Sequence, residues 1–220
     1  RKALAMTFSF STFTHMKKLF ITLLIIHYQL SIVNCLAQQT RSYIADKALA
    51  PREHSVDMQH LRLDVSFEPQ KGLVKGKVTH FFTPLQEKVD SIFLDAPKIK
   101  FIDVKLSGKP VRYKTDDNGI TIFPSPALTW GKQDSLTLVY EATPRKGIYF
   151  IGWNDPNNLS RKQIWTQGQG IDNRHWIPCY DESNDKLTTE VFVTFDKEYK
   201  VLSNGTKLEE KDNSNGTKTW

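Results

Sequence analysis

The chain has 220 residues, room for one or two domains, with 30 Lys and Arg against 24 Asp and Glu and a formal net charge of +6. Four of the bases and none of the acids fall in the first 37 residues, so the remainder is nearly neutral at +2 and presents no basic face for nucleic acid. Beyond residue 37 the only cysteine is Cys179, and one thiol makes no internal disulfide, so a packed core must hold the domain.

Residues 1–15 precede Met16 and are read as a non-native upstream segment. From Met16 the sequence runs MKKLFITLLIIHYQLSIVNCLA, with Lys17 and Lys18 ahead of a short apolar stretch from Leu19 to Val33. Cys35-Leu36-Ala37 puts small residues at the −3 and −1 positions of a cleavage site. Residues 16–37 therefore read as a secretory signal peptide, with an uncleaved anchor as the alternative. The protein is then expected to be exported, periplasmic or extracellular, with membrane contact only through that segment. Arg1 in place of Met, and a strand-like pattern running into Trp220, lead us to expect a piece of a longer protein.

Residues 38–58 are polar, contain Pro51 and read as a linker; the domain proper is placed at 59–220. In 60-HLRLDVSFEP-69 the apolar residues Leu61, Leu63, Val65 and Phe67 alternate with polar ones, the pattern of a half-buried strand. In 73-LVKGKVTHFF-82 one face carries Val74, Gly76, Val78 and His80, and His80 reads as structural rather than as a ligand. Further short strands are predicted at 91–96, 101–108, 110–115, 120–125, 135–143, 147–152, 163–169, 189–195 and 199–205, with a last pair around Asn215-Gly216. Asp117-Asn118-Gly119 signals a hairpin. Turn signals every eight to twelve residues or so mark an all-β antiparallel sandwich. Asn158-Leu159-Ser160, Asn204-Gly205-Thr206 and Asn215-Gly216-Thr217 match the glycosylation pattern, and the last two read better as turns.

There is no His-Glu-x-x-His, no Cys-x-x-Cys, no phosphate-cradling glycine loop and no Gly-x-Ser-x-Gly. His54, His60, His80 and His175 have no second His at helical ligand spacing, so neither a metal site nor a catalytic residue is expected within this chain. Cys179 lies near His175 and Asp181, but Pro178 before it fixes the backbone, and a small buried thiol is the expectation over a nucleophile. In 163-QIWTQGQ-169 the alternation of a strand would put Gln163, Trp165, Gln167 and Gln169 on one face. Gly168 and Gly170 would leave the neighbouring backbone open to close approach. A primary amide can both donate to and accept from a peptide end; a solvated polar edge strand is the competing reading of the same residues.

Trp165-Thr166-Gln167-Gly168-Gln169-Gly170, Arg174-His175-Trp176-Ile177-Pro178-Cys179-Tyr180-Asp181 and Asp185-Lys186-Leu187-Thr188-Thr189-Glu190 together resemble the N-terminal domain of the M1 family of zinc aminopeptidases. Val201-Leu202-Ser203-Asn204-Gly205 is similar to a strand and turn of that family. The resemblance implies a saddle-shaped antiparallel β-sandwich packed on a separate thermolysin-like catalytic domain. That domain would carry the zinc ligands, outside this chain, and the fragment alone would be inactive. The strand matching Thr166 to Gly170 would line the active-site cleft, with Gln169 holding the free amino terminus of a peptide substrate and Gln167 and Gly168 in the same wall. Two departures stand out: many aminopeptidases of the family carry Glu at the position of Gln169, and Pro is common where this chain has Ser183. Arg174, Asp181, Asp185 and Lys186 would be turn and inter-domain contacts, or a solvated loop. The rival reading of the whole is an exported β-sandwich binding module without enzymatic activity.

Overall fold

A computed structural model describes Thr22 and residues 52–220. The chain divides into two compact units, Arg1–Ala50 and Pro51–Trp220. Of the first only Thr22 is described, so the upstream segment, the signal peptide and most of the linker lie outside the described residues. The second unit is built of strands, joined by turns and two single-turn 3-10 segments.

The alternation seen in the sequence becomes two long antiparallel strands, β1 (Val56–Glu68) and β2 (Leu73–Pro84). Their inward residues Leu61, Leu63, Val65, Val74, Val78 and Phe82 are all buried. β1 starts inside the stretch read as linker, because Val56 and Met58 already face the core. Then come β3 (Ile92–Asp95), β4 (Lys100–Leu106), β5 (Lys109–Pro110), β6 (Arg112–Thr115), β7 (Gly119–Phe123) and β8 (Asp134–Ala142). The remaining strands are β9 (Ile148–Ile151), β10 (Gln163–Thr166), β11 (Thr188–Asp196), β12 (Lys211–Asp212) and β13 (Thr217–Thr219).

They form an eight-stranded sheet in the order β12-β13-β11-β1-β2-β8-β4-β5, a three-stranded sheet β3-β7-β6 and a two-stranded sheet β10-β9. Leu136, Leu138 and Tyr140 of the large sheet share one hydrophobic cluster with Ile92, Leu94, Ile120 and Ile122 of the three-stranded one. Burial of each such aliphatic side chain is worth roughly 1.5–3 kcal/mol. Gly76 lies opposite Tyr140 across the β2–β8 ladder, and a Cβ there would run into the Tyr140 ring, so the glycine makes room for the phenol.

All pairs are antiparallel except β1 with β11, which run parallel from His60↔Thr188 to Ser66↔Thr194. A parallel partner needs a long return path, and the last part of that path is 167–187. Just before this ladder begins, the Asp185 carboxylate accepts from the Met58 N–H at 3.0 Å, next to a bulge between Met58 and His60.

Three expected strands differ. The one at 110–115 splits into β5, paired with β4 in the large sheet, and β6, paired with β7 in the three-stranded one. No strand forms at 199–205: Leu202 is 97% exposed, and Tyr199 instead packs its ring on Phe195 and Trp153, at 5.2 and 5.4 Å between centroids. Alternation there has no sheet face to bury against. The strand expected to reach residue 169 stops at Thr166. Asn215-Gly216 does form the turn between β12 and β13, whereas Asn204-Gly205 turns the chain outside any strand pair.

Candidate functional site

β10 pairs with β9 so that Trp165 faces Tyr149 and Gln163 faces Ile151. The opposite face carries Ile148, which is buried, and Phe150 and Ile164, which pack on the core. The outer face therefore holds a Tyr149–Trp165 stack, 4.5 Å between ring centroids and 22° between planes. Trp165 and Ile151 remain 43% and 42% exposed.

The chain leaves this sheet through Gln167, Gly168 and Gln169. The Gln167 N–H still donates to the Gly147 carbonyl at 2.9 Å, extending the β9 edge by one residue. Residues 169–172 then turn, with Gly170 at φ +78, a conformation that glycine takes without the cost a side chain would add. Gln167 and Gln169 thus do not continue the face of Gln163 and Trp165; both lie exposed in a loop beyond the strand end. One side of Gly168 is covered, because the Asn173 carboxamide lies where its Cβ would be. Of the three residues expected to share a wall, Gln167 and Gln169 offer free side chains and Gly168 offers backbone only.

The loop is followed by a buried polar anchor. The Asp95 carboxylate, at the end of β3, is 2% exposed. It accepts from both terminal nitrogens of Arg52, at 2.9 and 2.6 Å, and from the Asp181 N–H at 3.1 Å, with Arg174 Nη1 3.1 Å away. Asp181 accepts in turn from the Arg174 N–H and Nε, at 3.0 and 3.2 Å, and its carbonyl from Nη2 at 2.8 Å. Burial raises the cost of charging Asp95, but Arg52, the Asp181 N–H and Arg174 outweigh it and hold its carboxyl below the ordinary carboxylate value. Arg174, Asp181 and Asp185 each make hydrogen bonds within this domain; Lys186 alone of the four is exposed. The anchor was not visible in the sequence, since Arg52, Asp95 and Arg174 come from three distant segments and no spacing rule joins them.

Cys179 is buried, and its backbone bridges to Asp95 in both directions, at 2.8 and 3.1 Å. Burial, then the carboxylates of Asp181 and Asp95, push its thiol well above the usual value, so it is protonated at neutral pH and is no nucleophile. His80 Nε2 donates to the Pro178 carbonyl at 2.9 Å. Burial, only partly opposed by that bond, lowers the His80 imidazole to about 4, so it is neutral and structural. Among the described residues no three His, Cys, Asp or Glu side chains come together as a metal site, and the loop residues do not fit zinc.

The described strands and their order define the class: an all-β domain of antiparallel sheets with a single parallel pair among the described residues. The peptidase M1 N-terminal domain family matches residues 51–220, and the chain belongs to that family. It is 27% identical over 165 residues to a leucyl aminopeptidase of Saccharolobus solfataricus, covering 71% of this chain and 19% of that protein. It is 26% identical over 157 residues to leucine aminopeptidase 2 of Candida glabrata, covering 69% and 24%. The chain thus spans about a fifth to a quarter of the length of these relatives. Among solved structures, an M1 zinc metallopeptidase from Deinococcus radiodurans superposes with a TM-score of 0.64 at 22% identity, over 77% of this chain and 39% of that one. A variant of the Deinococcus radiodurans enzyme was solved bound to a Tyr-Ser-Ala substrate, with a TM-score of 0.65 at 21% identity over the same 77% and 39%.

Proposed function

We propose that the full-length protein is an exported zinc-dependent aminopeptidase that removes amino-terminal residues from peptides. In this reading the domain packs on a following catalytic domain and supplies part of the cleft wall. Membership of the M1 N-terminal domain family over 51–220 carries it. The aminopeptidase relatives and a neighbour solved with a tripeptide support the substrate class. The signal-like segment 16–37 supports export to a periplasm or the exterior.

Gln169 stands exposed beyond the strand end, free to accept through Oε1 from a substrate ammonium. Gln167 and the Gly168 backbone complete that side of the cleft. A neutral amide gives a weaker bond to an amine than a carboxylate does, so affinity for the free terminus is set lower than a Glu would set it. Zinc, held by residues outside this chain, would act as a Lewis acid and lower the pKa of its water. Without that domain the fragment binds the amino end at most and cleaves nothing.

The test is hydrolysis of aminoacyl substrates by the full-length protein, with free and with acetylated amino ends. Free substrates are cleaved and acetylated ones are not, and a chelator abolishes the activity. Gln169→Ala lowers kcat/KM roughly ten- to a hundredfold, the scale of one or two hydrogen bonds to a charged group. An unchanged value removes Gln169 from the site. A downstream reading frame without His-Glu-x-x-His turns the reading to a binding module.

A further inference from the structure

The loop that presents Gln169 is held by its backbone and by its last side chain, Asp172, which lies 3.9 Å from Lys146 Nζ and 3.7 Å from His175 Nε2. At its entry, the Gln167 N–H donates to the Gly147 carbonyl at 2.9 Å. At its exit, Asp172 lies against the same glycine: a Cβ on Gly147 would overlap the Asp172 carbonyl oxygen and stand 2.9 Å from the Trp176 ring. One residue thus fixes both ends. In between, a Cβ on Gly168 would overlap Oδ1, Cγ and Nδ2 of Asn173, so the Asn173 carboxamide sits flat on the Gly168 backbone.

Asn173 is itself immobilised. Its carbonyl accepts from the N–H groups of Trp176 and Ile177, at 3.1 and 3.0 Å, closing the 3-10 turn Asn173–His175. The next residue, Arg174, is tied to Asp95 and Asp181. Among the described residues the Asn173 side chain makes no hydrogen bond, so what it contributes is its contact with Gly168. Gln169 follows Gly168 directly, so this support lies one residue before the proposed clamp.

We infer that Asn173 is a positioning residue: by resting on Gly168 it sets where the Gln169 side chain stands in the cleft. The inference rests on the reading of Gln169 as the clamp for the substrate's amino end. Removing Asn173 leaves the zinc chemistry intact and lets the loop wander by the depth of a side chain, which weakens binding of the amine rather than the reaction.

The experiment compares Asn173→Ala, Gln169→Ala and the double variant in the full-length, zinc-loaded protein. Two readouts are taken: steady-state kinetics on an aminoacyl substrate, and calorimetric binding of a free amino acid. Asn173→Ala raises KM and the dissociation constant by about three- to tenfold and leaves kcat within about twofold. The double variant is no weaker than Gln169→Ala alone, because the effect of Asn173 passes through Gln169. Asn173→Leu, alike in branching and close in size without the amide, restores most of the affinity and keeps the proposal testable if the alanine variant is poorly folded. Additive losses in the double variant, or an unchanged KM in folded Asn173→Ala, overturn the positioning role. If Gln169→Ala is itself silent, the clamp reading fails, and the positioning role with it; a silent Asn173→Ala beside an impaired Gln169→Ala removes only the latter.

Discussion

The stretches 167–171 and 173–181 adjoin in sequence and behave as opposites. In the first, Gln167, Gln169 and Ile171 are exposed, and the chain is held by its backbone and by the Asn173 side chain against Gly168. In the second, Trp176, Cys179 and Asp181 are buried and Arg174 is nearly so, and Arg174, Pro178, Cys179 and Asp181 make contacts reaching to β2 or β3. A recognition loop needs free polar ends, which cannot also be spent on packing. The neighbouring segment therefore carries the cost of rigidity for both. Stability and substrate binding should then be separable by substitution, with large stability losses confined to the anchor.

The largest effect is expected at Asp95. Asp95→Ala strands the Arg52 and Arg174 guanidiniums around a buried position and leaves the Asp181 N–H without its acceptor. Breaking a buried ion pair from one side costs about 3–5 kcal/mol. Denaturant unfolding followed by tryptophan fluorescence should show that loss, and a change below about 1 kcal/mol would place the strength of the fold elsewhere.

The sequence carried the architecture well where side chains alternate against a core. Leu61, Leu63, Val65, Val74 and Val78 announced β1 and β2, and the Asn215-Gly216 turn announced β12 and β13. It misled where alternation had nothing to pack on, as at Val201 and Leu202. In the candidate site, the exposed glutamines were legible as residues but not as a loop. Strand periodicity was carried past Thr166 into glycines that end it, and the contacts that shape the loop, from Asn173 and Gly147, are tertiary. The buried Asp95 anchor was hidden for the same reason, since a lone acid at a strand end has no signature until its arginines arrive from elsewhere.

A second test separates the anchor from the loop by pH. His80 is lowered to about 4 by burial, against an ordinary value of 6.5. The unfolded chain therefore binds a proton that the folded chain refuses between those values, so stability is full above pH 6.5 and falls as the pH drops towards 4. The size is about 3 kcal/mol for this one group. Unfolding measured between pH 7 and pH 4 should show that slope, and His80→Leu should flatten it. A slope that persists unchanged in His80→Leu assigns the acid sensitivity to other groups. Binding of the substrate's amine is not coupled to this proton, because His80 lies against Pro178 inside the sheet and not beside Gln169.

The smallest stability effect is expected at the loop itself. Gln169 is exposed and makes no side-chain hydrogen bond among the described residues. Gln169→Ala should shift the unfolding free energy by no more than about 0.5 kcal/mol, as for surface substitutions away from caps and networks. The same variant is the one expected to lose the most affinity for a free amino end. Matched denaturation curves beside a raised KM would place recognition in the loop and rigidity in the anchor. A destabilisation comparable to that of Asp95→Ala would mean that the loop shares the anchor's packing, and that its losses in activity cannot be assigned to contact with substrate.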